Sequence, residues 1–166
     1  MEYLSPHAER SQQELEAQAS EFVDRAQSLI DAADGLPRHL DSMTSEQRGV
    51  FIEFNRLHDE VESLPQADTE LSAKVYARLT ESGYVRDRRF IVSYVGQMLA
   101  VDQEGGLRLL TRLAGDSDQY VQQQAWDTFK GDIIEREGTA ISAREAFPVV
   151  MSFIDSFDLI PKKIRP

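Results

Sequence analysis

The chain has 166 residues, enough for one domain that buries roughly two-thirds of its unfolded surface, and its 41% hydrophobic and 28% charged residues are a globular mixture. Cysteine is absent, which excludes a disulfide scaffold, thiolate metal sites and cysteine nucleophiles together and fits a reducing compartment. The 29 acidic against 18 basic residues leave a net charge of −11, a balance that repels nucleic acid and anionic membrane surfaces.

In chain order the punctuation is helical. Ser5 with Pro6 reads as an N-cap followed by proline at the first helical position, opening a long amphipathic helix over 5–33. Its stripe is Leu15, Ala19, Phe22, Val23, Ala26, Leu29 and Ile30, and Gly35 and Pro37 close it. Thr44 with Gln47 is a capping box; Val50, Phe51, Phe54, Leu57, Val61 and Leu64 then recur at three and four until Pro65, which is expected to end the pattern. Asp68 or Thr69 caps a third helix that turns Leu71, Val75 and Leu79 inward, with Gly83 where a left-handed residue often closes a helix. Further helices are expected over 87–101, 104–113, 118–136 and 143–157, with Gly115 and Gly138 closing two of them and Ser142 with Glu145 opening the last. No hairpin turn separates alternating runs. The expectation is an all-α fold, about seven helices packed as antiparallel hairpins, HEAT-like or bundled, in a single domain over 1–166.

The charge is not evenly spread. Residues 1–83 hold 7 basic and 17 acidic side chains, net −10, whereas residues 84–166 hold 11 and 12, net −1. No apolar core of a signal peptide occurs in residues 1–30, so a cytoplasmic location is expected. The most apolar stretch, 147–160, carries Asp155 and Asp158 and falls short of the about 20 residues that a bilayer span needs.

Within 104–137, Leu107, Leu109, Leu110 and Leu113 precede a turn with Asp116 and Asp118, and Val121, Ala125 and Phe129 follow on one helix face. A small residue at the middle of that face lets antiparallel helices approach closely. This segment resembles one HEAT repeat, with Gln122 where that family usually has arginine. Tyr84-Val85-Arg86 is an upstream echo of Tyr120-Val121-Gln122, and Gly96 of Gly131, at offsets that differ by one. The resemblance implies a short α-solenoid or stack of helical hairpins used for protein binding; it does not imply catalysis.

Motifs for chemistry are sparse. His7, His39 and His58 make no metal-binding spacing; only His58 has Asn55 and Glu62 on its helix face, as two metal ligands or as surface hydrogen-bonding groups. Gly105-Gly106 lacks a phosphate-loop context, and no nucleophile elbow is present. No catalytic residue, metal site or cofactor is therefore expected.

Two charged groupings invite a binding role. Glu14, Glu21, Asp24, Asp31, Glu53, Asp59 and Glu60 load the first two helices with negative charge, which serves either solubility or the capture of a basic partner. Arg86, Arg89, Arg108 and Arg112, with Arg88, gather around the later hairpins, either to bind an acidic ligand or to pair internally with Asp87, Glu104 and Asp116. Trp126 is expected in the core. Phe153 and Phe157, in the apolar C-terminal stretch, mark an interface for a solenoid end or a second copy of the chain. The leading expectation is a non-catalytic helical protein that binds another, basic protein, on the pattern of an immunity protein or antitoxin that plugs a basic toxin or nuclease. The alternatives are an accessory or scaffold subunit that docks through its C-terminal helix, and a helical metal-binding protein or enzyme built around His58.

Overall fold

The computed structural model describes residues 10–131, which form seven α-helices and one 3-10 turn, with no strand among the described residues. The helices are α1 (Gln12–Asp34), α2 (Ser45–Ala67), α3 (Thr69–Thr80), α4 (Val85–Val92), α5 (Val95–Val101), α6 (Gln103–Ala114) and α7 (Gln119–Phe129), with the 3-10 turn at Leu40–Ser42. The expected caps at Ser5 and Ser142, the helix over 143–157, Gly138, Phe153 and Phe157 lie outside the described residues.

Two adjoining cores organise the chain. In the first, α1 buries Leu15, Ala19, Val23, Ala26 and Ile30 at steps of three and four, and the alanines let α2 and α3 come close. Leu57 and Val61 of α2 and Val75, Tyr76 and Leu79 of α3 fill the space between, joined by Phe90, Ile91 and Met98. The second core unites Val92 and Val95 with Leu110, Leu113 and Ala114 of α6 and with Val121, Ala125 and Phe129 of α7. Trp126 lies half-buried at its margin, stacked on Phe129, rather than inside it. Links over 81–84 and 115–118 make α3–α4 and α6–α7 into hairpins, with α3 packed on α6 and α4 on α7. The helix α5 comes between the two hairpins in sequence and packs on α6.

Local chemistry accounts for where these helices begin and end, and it corrects several expectations. The helix α1 begins at Gln12, where the Ser11 hydroxyl accepts from the Glu14 N–H at 3.1 Å as its cap. The capping box at Thr44 and Gln47 is complete, each side chain accepting the other residue's backbone N–H. Pro65 does not end α2, which continues to Ala67. A proline lacks the N–H that would reach the carbonyl four residues back, here that of Val61. The Tyr76 hydroxyl donates to that carbonyl instead, at 2.5 Å. Asp68 then closes α2 with its backbone N–H and caps α3 with its carboxylate.

Gly83 lies beyond the end of α3, and its φ is not in the left-handed region expected of it. The helix expected over 87–101 is two helices, α4 and α5, with a break at Ser93 and Tyr94. Phe90, Ile91 and Val92 are buried in succession. One straight helix buries a single stripe, so serving both cores from neighbouring residues requires the chain to turn. β-Branched Ile91, Val92 and Val95 also weaken helix at this point.

Gly105 and Gly106, expected in a loop or at a helix start, occupy the first turn of α6, whose cap is Asp102. A Cβ on Gly106 would meet the Leu99 backbone nitrogen at 3.0 Å, so the glycine sets how closely α5 and α6 approach. The Tyr84-Val85-Arg86 echo is out of register in space. Tyr84 is the N-cap of α4, but Tyr120 already lies inside α7, whose N-cap is Asp118.

Candidate functional site

Because α1 turns residues 15, 19, 23, 26 and 30 inward, its heptad geometry leaves Glu14, Glu21, Asp24 and Asp31 on the opposite side, and all four are exposed. On α2 the inward residues Leu57 and Val61 place Glu53 and Glu60 on one flank and Asp59 on another. The acidic residues therefore divide into groups. Glu21, Glu53 and Glu60 surround Arg25, whose guanidinium pairs with Glu60 across α1 and α2 and lies 5.1 Å from the Phe22 ring centroid. The hydrogen bond to Glu60 and the neighbouring carboxylates hold the Arg25 pKa above its usual value against the cost of burial. Asp31 has a partner in α4, Asp59 stands beside His58, and Glu14 belongs to the capping turn of α1.

The arginines do not converge on a common opening. Arg86 reaches Asp31 at 2.6 Å and Asp34 at 3.2 Å, tying α4 to the end of α1. Arg89 grips Asp118 with two nitrogens, at 2.6 and 3.1 Å, with its guanidinium 5.9 Å from the Tyr120 ring centroid. That hydrogen bonding pulls the Asp118 carboxyl below the usual carboxylate range. Arg112 pairs with Glu81 at 3.0 Å, and Arg108 faces Glu104 at 3.8 Å on the exposed side of α6. Arg88 is the most enclosed member of this set, donating to Asp116 at 2.7 Å and to the Ser82 carbonyl at 2.8 Å. Asp87, an expected arginine partner, is buried instead, accepting from Gln27 at 2.8 Å and Ser82 at 2.6 Å.

Sequence reasoning did not find the carboxylate of Glu16, which bridges Lys74 and Arg78 of α3. Partners so far apart along the chain leave no spacing signal. Nor did it find the contact between His58 Nδ1 and the Tyr94 hydroxyl. Asn55 and Glu62, the neighbours weighed as metal ligands with His58, are exposed on α2. Among the described residues no three histidine or carboxylate side chains come together as a metal site, and no described helix is long and apolar enough to cross a membrane.

The fold and these surfaces define an all-α protein of stacked helices with an acid-rich first part held together by inter-helix ion pairs. Comparison with protein-family models, with curated proteins and with solved structures finds no match.

Proposed function

We propose that the protein works by binding another, basic protein through the outer faces of α1 and α2, as an immunity- or antitoxin-like inhibitor of a cationic toxin or nuclease. The observation that carries this reading is a set of exposed carboxylates on α1 and α2 with no cation within ion-pair distance among the described residues. Arg86, Arg88, Arg89, Arg108 and Arg112 each have a carboxylate within ion-pair distance, whereas Glu14, Glu21, Asp24, Asp59 and Glu62 have no cation at that distance among the described residues, Glu21 acting on Arg25 from farther away. Exposed like charges oppose compaction slightly and raise association rates with an oppositely charged surface. A nuclease must present cations to hold phosphates, so an acidic plug complements it. The HEAT-like reading of α6 and α7 supports the same class, since stacked helical hairpins present extended faces to other proteins.

The test is capture of partners by the full chain from the source lysate at low and at high salt. A basic protein retained at low salt and released at high salt is the expected result. Recovery of acidic partners alone, or of a complex indifferent to salt, would overturn the proposal.

A further inference from the structure

Where the break between α4 and α5 packs against α2, four rings come together. The His58 ring centroid is 4.5 Å from that of Phe54, 4.8 Å from Phe90 and 5.7 Å from Tyr94, and Phe90 is 5.9 Å from Phe54 and 5.4 Å from Tyr94. Phe90 is buried, whereas Phe54, His58 and Tyr94 keep part of their surface in solvent. Contact of the Tyr94 hydroxyl with His58 Nδ1 ties the rings of the two elements together.

Two carboxylates border this cluster. Glu62 lies one turn beyond His58 on the same side of α2, and Asp59 follows His58 directly. Both are exposed, with no cation at ion-pair distance among the described residues. Their charge reaches the rings: after burial, Glu62 and then Asp59 hold the Tyr94 hydroxyl above its usual pKa, and Asp59 also acts on His58. The facing element does not neutralise them. Arg86, Arg88 and Arg89 of α4 are engaged with Asp31, Asp116 and Asp118, and no residue of Val95–Val101 is charged.

A ring beside a carboxylate holds an arginine at two other places in this chain. The Arg25 guanidinium lies 5.1 Å from the Phe22 centroid and pairs with Glu60; that of Arg89 lies 5.9 Å from the Tyr120 centroid and pairs with Asp118. Ring faces attract a guanidinium within about 6 Å of the centroid, and a carboxylate adds charge-assisted hydrogen bonds. The cluster at His58 has the same two components and no arginine of its own among the described residues. We infer that it is the docking point for an arginine side chain of the basic partner, with the guanidinium over the Phe54 and Tyr94 rings and its charge met by Asp59 and Glu62. This rests on the reading of α1 and α2 as a surface for a basic protein, and adds where on that surface the partner is anchored.

The test is an NMR titration of the full chain at low salt, above the ordinary histidine pKa of about 6.5. The probes are a hexaarginine peptide and its neutral isostere, hexacitrulline. Hexaarginine should shift the ring signals of Phe54, His58 and Tyr94, and hexacitrulline should not. Phe54→Leu, which keeps an apolar side chain without the ring, should weaken hexaarginine binding about two- to fivefold. Asp59→Asn/Glu62→Gln should weaken it as well. Equal binding of the two peptides, or an affinity unchanged in Phe54→Leu, overturns the docking point. Shifts confined to Glu21 and Asp24 overturn it too, while leaving the acidic surface as a binding face. No shift anywhere overturns it, and salt-sensitive capture of a basic protein then decides the wider reading separately. If Phe54→Leu does not fold, the comparison of the two peptides on wild type decides.

Discussion

The Tyr76 hydroxyl stands in for the N–H that Pro65 does not have, donating to the Val61 carbonyl at 2.5 Å inside the first core. Val61 and Tyr76 are both 0% exposed, so the carbonyl has no recourse to water. Tyr76→Phe keeps the ring and removes the donor, leaving a buried acceptor unsatisfied. The expected loss is about 1–3 kcal/mol in denaturant unfolding. In a Pro65→Ala background the restored backbone N–H reaches the same carbonyl, so the loss from Tyr76→Phe should shrink. Equal losses in the two backgrounds would show that Tyr76 does not compensate for the proline.

How much of this was legible beforehand differs by kind of interaction. The stripe from Leu15 to Ile30 and the Thr44–Gln47 box are local patterns, set by helical period and a fixed cap spacing, and both are present. Pro65 misleads because the group that rescues it belongs to the next helix, and propensity holds no information about that hydroxyl. The α4–α5 break was hidden for a similar reason: Val92 and Val95 are apolar in either direction, and only the presence of a second core sends them away from the first. On the candidate surface, exposure of Glu21 and Asp24 follows from helix periodicity. The pairing of Arg86 with Asp31, or of Arg88 with Asp116, depends on tertiary contacts that no sequence spacing encodes.

Arg88 and Arg108 provide a contrast between enclosed and exposed pairs. The side chains of Arg88 and Asp116 are 15% and 9% exposed, those of Arg108 and Glu104 73% and 86%. Arg88→Ala leaves a desolvated carboxylate without its partner and should cost about 1.5–3 kcal/mol. Arg108→Ala should stay within about 0.5 kcal/mol of wild type. Thermal unfolding of the two variants side by side checks the ordering.

Gly106→Ala places a methyl group against the Leu99 backbone nitrogen and side chain, at 3.0 and 2.9 Å. Alanine ordinarily favours helix over glycine, yet here the crowding should dominate, destabilising the protein by about 1–3 kcal/mol. Stabilisation in a chemical denaturation curve would mean that α5 and α6 separate without cost.

Asp118 titrates below its ordinary value because Arg89 hydrogen-bonds its carboxylate, with the Val121 backbone N–H adding to the effect. A carboxylate depressed in this way contributes stability above its unfolded pKa, and the contribution is lost as pH falls through the folded value. Arg89→Ala should raise the Asp118 pKa toward the ordinary range in a carbon-detected NMR titration. It should also lessen the loss of stability on acidification. An Asp118 curve unchanged by the substitution would contradict the assignment.

The proposed recruitment of a basic protein rests on Glu21, Asp24 and Asp59, exposed on α1 and α2 with no cation at ion-pair distance among the described residues. Its most direct test is the association rate constant for the captured partner, measured against ionic strength for wild type and for Glu21→Lys/Asp24→Lys/Asp59→Lys. Wild type should associate fastest at low salt and slow steeply as salt rises, and the triple variant should be at least about tenfold slower at low salt. Equal association rates in the two proteins, with the same salt dependence, would contradict the claim.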